Sequence, residues 1–182
     1  MIAYYLHYNS TTGAITGAGT SPDGTIPSDG IECTQAQYQT SNQWQVVNGA
    51  IVSAPASVLL AQAQSAQIIV LKTAYQTAIN APVTFTNAAG VTSTYAFGNS
   101  LSPSGSNAQD LLTQIIAAGS AAWKAGVWFD TNGVAQTMTF ADLQELAVAI
   151  EAAQTVDEQD LMTKMAEVQA ATSISAVQAI TF

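Results

Sequence analysis

Ser57-Val-Leu-Leu-Ala-Gln-Ala-Gln-Ser-Ala-Gln-Ile-Ile-Val-Leu-Lys-Thr-Ala-Tyr-Gln-Thr-Ala-Ile79 is the stretch on which the reading of the whole chain turns. Leu59, Leu60, Ala63, Ala66, Val70, Ala74 and Ala78 recur at steps of three and four, with Gln62, Gln64 and Gln67 largely elsewhere. That spacing predicts a helix from Pro55 to about Asn80. Pro55 and Ser57 suit a first turn, and Pro82 follows the end. The apolar stripe is narrow and made mostly of small side chains. Lys72 is the single charged residue in the segment, so ion pairs along the helix cannot support it. Stability must come from packing, and small residues permit a close helix partner. Leu59, Ala63, Ala66, Val70 and Ala74 are therefore the expected interface, facing either a second copy or the chain's own C-terminal helices.

Upstream, residues 1–53 read as a small β-rich module. Ile2-Ala-Tyr-Tyr-Leu-His-Tyr8 favours a strand, Asn9 to Gly13 a turn, and Ala14-Ile-Thr16 a returning strand. Gly17 to Gly30, with Pro22 and Pro27, has loop composition. Thr34-Gln-Ala-Gln37 has the spacing of a capping box and predicts a short helix through Tyr38. Gln45 to Val52, centred on Asn48-Gly49, is the clearest hairpin in the chain.

Downstream, residues 83–182 read as a domain of helices with two β-hairpins. Val83 to Thr86 and Val91 to Phe97 alternate about Asn87-Ala-Ala-Gly90, and Gly98 to Asn107 is a polar connection. A helix with Leu111, Leu112, Ile115 and Ile116 on its apolar face follows. Gly126 to Asp130 and Val134 to Met138 form a second hairpin about Thr131-Asn-Gly133. Thr139-Phe-Ala-Asp142 opens a helix carrying Leu143, Leu146, Val148 and Ile150. Thr155-Val-Asp-Glu158 opens another, with Leu161, Met165 and Val168 inward, before a short helical turn and an apolar tail. The expected class is α+β: the module at 1–53, a helical connector at 54–82, and the α+β domain at 83–182.

Composition narrows the function. Of 182 residues, 48% are hydrophobic and only 8% charged, so a buried core is expected and pervasive disorder is not. The net charge is −9, carried by twelve acidic residues against three basic ones. A chain with no arginine neutralises few phosphates, which argues against nucleic-acid and anionic-membrane partners. No apolar run approaches the ~18 residues of a membrane span. No positively charged leader precedes an apolar run, so no secretory signal is expected and the Asn9-Ser-Thr11 sequon reads as chance.

Chemistry-bearing constellations are sparse. His7 is the single histidine, in a strand, and reads as a cross-strand or partly exposed side chain. Cys33, the single cysteine, has no basic flank to activate it and reads as packing. Asp130-Thr-Asn-Gly133 opens like a calcium loop but lacks the closing glutamate, so a β-turn is the simpler reading. Asp157, Glu158 and Asp160 suit a helix N-terminus, and Asp142, Glu145 and Glu151 a solvated helix face. Trp123 and Trp128 are expected to cover one edge of the core, with a sugar platform as the sharper alternative. No catalytic, cofactor or metal set is expected.

Several features together resemble a domain of unknown function found in tailed bacteriophages, encoded beside tail fibres and their assembly factors. They are Lys72 in a helix ending at Asn80, Tyr95-Ala-Phe97 in a hairpin, the helix from Asn107 to Trp123, and Trp128 with Asp130 in a second hairpin. Met138 to Leu143, Lys164 in the last helix, and Ala170 to Phe182 complete the set. The Tyr-rich strand, Thr12-Gly13 turn, Ile26-Pro27 and Tyr38 helix likewise resemble a small N-terminal module of phage tail proteins. The resemblance implies a non-enzymatic structural component of the tail, fibre or baseplate region of the virion. It would be made in the host cytoplasm and held by contacts with other tail or fibre proteins. It also implies a homo-oligomer, a trimer built around the 57–79 helix. A tail-fibre assembly chaperone is the alternative, and a glycan-binding receptor protein a third reading that lacks a carboxylate pair.

Overall fold

The computed structural model describes residues 2–96, 107–124 and 126–182. Its class is α+β, with short antiparallel strand pairs and helices of very different lengths. Contacts divide the chain into two units, Met1–Ser65 with Thr172–Val177, and Ala66–Ala171 with Gln178–Phe182. The long helix that the sequence presents as a separate connector is thus shared between the two.

The first unit holds a three-stranded antiparallel sheet of β1 (Ala3–Tyr8), β2 (Ile15–Ser21) and β3 (Gly30–Cys33), in the order β2-β1-β3. Gly17 to Ser21, read from composition as loop, is strand. The reason lies across the ladder: Gly19 pairs with Tyr5 and Gly17 with His7. A Cβ on Gly19 would run into the Tyr5 ring, so glycine here makes room for an aromatic neighbour instead of breaking the strand. Leu6, at the centre of the middle strand, is fully buried.

α1 (Gln35–Gln39) starts with the capping box expected at Thr34 and Gln37, and its Tyr38 ring lies 5.3 Å from that of Tyr4. β4 (Trp44–Val47) and β5 (Ala50–Ser53) form the hairpin centred on Asn48 and Gly49, both at positive φ as such a two-residue turn requires. Gly13 joins the first hairpin to this one. Its φ is +72°, and its carbonyl accepts a 2.9 Å bond from the Val46 amide. A Cβ there would collide with the Val46 carbonyl oxygen. Gly13→Ala is therefore expected to cost about 1–3 kcal/mol, the scale of a strained backbone residue. Urea melts of the two proteins measure it, and an unchanged midpoint would refute the packing described.

α2 (Ala56–Ala78) is one uninterrupted helix. The second unit continues with the hairpin β6 (Val83–Thr86) and β7 (Thr92–Tyr95), then α3 (Ala108–Ala118) capped by the Asn107 side chain. A second hairpin, β8 (Val127–Phe129) and β9 (Ala135–Thr137), precedes α4 (Phe140–Ala170); α5 (Ile174–Gln178), which belongs to the first unit through Val177, is the last helix. Phe97 and the polar connection from Gly98 to Ser106 lie outside the described residues. The core of this unit is Tyr95, Leu112, Trp128, Met138, Leu143, Leu146 and Ile150.

Two expectations for α4 need correction. It does not restart at Thr155: residues 140–170 contain no glycine or proline, and a Thr-x-x-Glu sequence caps only where backbone amides lack a partner one turn back. Asp157, Glu158 and Asp160 thus lie in mid-helix, not at an N-terminus. Val148, moreover, is exposed. It sits opposite the Leu143, Leu146 and Ile150 face.

Backbone and side-chain bonds tie the two hairpins together. The Thr131 amide donates to the Thr94 carbonyl at 2.9 Å, and Asn87 Nδ2 donates to the Thr137 carbonyl at 2.9 Å.

Candidate interaction surface

The five interface residues expected from sequence fall on two sides of α2. Leu59, Ala63 and Ala74 are half-buried, whereas Ala66 and Val70 are exposed. Leu71 is the fully buried side chain, and the covered face runs along Leu60, Gln67, Leu71 and Ala78. That face shares Leu60 and Ala78 with the stripe read in the sequence and is otherwise rotated from it toward Gln67 and Leu71, at ~100° per residue. Leu71, absent from that stripe, is the side chain that is fully covered.

Within the second unit the chain's own tail occupies part of that face. Gln67 Nε2 donates to the Ile180 carbonyl at 2.7 Å, and the Tyr75 ring meets Phe182 edge-on at 6.3 Å. Nothing in the sequence periodicity announces this, since the pairing joins residues more than a hundred positions apart.

The opposite face remains apolar and open. Ile69 is 66% exposed and Val70 56%. Lys72 is the one charge on the helix. On α4 the exposed Val148, Val156 and Met162 likewise face solvent. Isolated apolar side chains at a surface are ordinary, and the feature here is two adjacent ones, Ile69 and Val70, both more than half exposed.

Two aspartates, Asp130 and Asp142, are engaged in holding the fold. Asp130 closes the β8–β9 turn: Oδ1 accepts from the Asn132 and Val134 amides at 2.9 and 3.0 Å, and Oδ2 accepts from Gln136 and Ser93. These bonds, the Val134 amide foremost, hold its carboxyl below the usual range against the opposing effect of burial. The turn reading of Asp130 is the one observed.

Asp142 is not on a solvated face. It is 3% exposed and joins its own capping box to the β6–β7 turn, accepting from the Ala88 amide at 2.7 Å and from the Thr139 amide at 2.7 Å. Burial opposes its ionisation, but the Thr139 hydroxyl and both amides outweigh it, leaving the carboxyl below its ordinary value.

His7 Nδ1 lies 2.9 Å from Asp29 Oδ2, with its ring edge-on to Tyr5. Cys33 is half-buried, and burial, then the Glu32 charge, pushes its thiol up, away from reactivity. Trp123 and Trp128 rings sit 6.3 Å apart, and Trp123 Nε1 donates to the Met138 carbonyl. The pair covers the core rather than offering two open faces. Among the described residues no three His, Cys, Asp or Glu side chains converge on a common point, and no helix is long and apolar enough to cross a membrane.

No protein-family model matches the chain, no curated protein matches its sequence, and no solved structure matches its fold.

Proposed function

We propose that this chain is a structural, non-enzymatic component of a tailed-bacteriophage virion, in the tail, fibre or baseplate region, that works through protein–protein contacts. Its self-association, as a trimer, uses the outer face of α2. The observation that supports this reading is the adjacent pair Ile69 and Val70, both in solvent on a helix carrying one charge. Covering such side chains contributes roughly 1–2 kcal/mol each at their exposed fractions.

The double variant Ile69→Glu, Val70→Glu places two like charges in the contact without touching Leu71. It is expected to weaken association by roughly a hundredfold or more, since each ~1.4 kcal/mol is a factor of ten. Light scattering at micromolar concentration should give a trimer for the unaltered protein and a monomer for the variant, with matching circular dichroism. A monomeric unaltered protein refutes the self-association. Mass spectrometry of washed particles of the phage encoding the chain tests the virion role. Stoichiometric presence supports it, and absence replaces it with the assembly-chaperone reading.

A further inference from the structure

Between α3 and the first half of α4, wholly inside the second unit, lies a cleft of about 210 Å³. Leu112, Ile116 and Ile150 form its apolar floor, and Glu151, Gln154 and Gln109 stand at its rim. Its size is below the ~300–1,000 Å³ of sites that enclose whole small molecules, so it suits a single long side chain.

The rim is asymmetric in charge. Neither α3 nor the stretch of α4 from Phe140 to Gln154 contains a lysine, and Lys164 is engaged with Glu167 at 3.4 Å. Among the described residues the Glu151 carboxylate has no ion-pair or hydrogen-bond partner. The glutamine side chains beside it add two carbonyl acceptors.

An apolar floor beneath one carboxylate and two amide oxygens matches a side chain with a methylene stem and a broad cationic head. We propose that this cleft docks an arginine side chain presented by a partner protein. The stem lies on Leu112, Ile116 and Ile150, and the guanidinium pairs with Glu151 while donating to the glutamine carbonyls. The present chain contains no arginine, so a second copy of these 182 residues cannot supply the occupant, which comes from a partner of different sequence. Its net charge of −9 favours a basic partner at longer range as well.

The proposal depends neither on the virion reading nor on self-association through α2. N-acetyl-arginine N-methylamide is the probe, titrated into isotope-labelled full-length protein and, separately, into the Ile69→Glu, Val70→Glu protein. Saturable amide shifts at roughly millimolar probe, confined to residues 109–116 and 147–154, are expected for both proteins. The uncharged citrulline analogue and the Glu151→Gln variant should each bind about tenfold more weakly, the scale of one charge-assisted pair. Glu151 is exposed, so the variant's spectrum outside the cleft should be unchanged. The proposal is overturned by shifts that do not saturate or lie elsewhere, by equal binding of the citrulline analogue, by undiminished binding to Glu151→Gln, or by tighter binding of the lysine analogue.

Discussion

Trp128→Ala is expected to destabilise the second unit by about 3–5 kcal/mol, the usual range for truncating a large aromatic side chain in a core. Trp128 is 7% exposed and packs in one cluster with Tyr95, Leu112, Met138, Leu143, Leu146 and Ile150, so no neighbouring side chain can swing in to fill the gap. Trp123 also loses its ring partner, although its indole bond to the Met138 carbonyl does not require it. Whole domains are stable by only ~5–15 kcal/mol, and a protein of this length shifts its melting point by about 2–4 °C per kcal/mol. The thermal midpoint should therefore fall by roughly 6–20 °C. Phe129 supplies the control, because strand alternation points it outward and leaves it 45% exposed. Phe129→Ala should cost less than about 1 kcal/mol, in line with ordinary surface substitutions. Equal losses from the two variants would mean that this hairpin does not face the core as described.

Asp142→Asn is expected to cost about 2–4 kcal/mol and to alter how stability responds to acid. The native carboxylate accepts from Ala88 N through Oδ1 and from both the amide and the hydroxyl of Thr139 through Oδ2. An amide side chain offers one oxygen, so its NH2 group must point at donors on one side or the other. Loss of the cap accounts for ~1 kcal/mol, and a buried donor left without an acceptor for about 1–3 kcal/mol. Because the folded-state carboxyl sits below its ordinary value, its contribution is fully present above the unfolded value of about 3.9. That contribution is lost as pH falls through the lower folded value. Asp130 acts in the same direction, so the unaltered protein should lose stability as pH falls below about 4. In Asp142→Asn the slope in that window should be shallower, as measured by urea midpoints across the range. Parallel slopes would show that Asp142 is not held as an ionised cap in the folded state.

Local signals were legible because they concern neighbours in the chain. The capping boxes at Thr34 and Thr139, the Asn48-Gly49 turn, and the hairpins about Asn87 and Asn132 each depend on a few consecutive residues. Their backbone requirements are met by those residues alone, and α2 likewise declared itself through its spacing. The core positions Leu112, Leu143, Leu146 and Ile150 followed from helical periodicity.

Tertiary structure decided whatever depends on a partner distant in sequence. Gly17 and Gly19 are strand residues because Tyr5 and His7 lie across from them, and composition by itself cannot show who sits opposite. Asp142 is buried because the Ala88 amide comes to meet it, fifty-four positions upstream. Most of all, the direction in which α2 presents its faces is set by Ile180 and Phe182 reaching Gln67 and Tyr75. A helix with a single charged residue, Lys72, has no charged side to orient it by itself. Only the segment that packs against it determines which stripe is covered and which, with Ile69 and Val70, remains available to a partner.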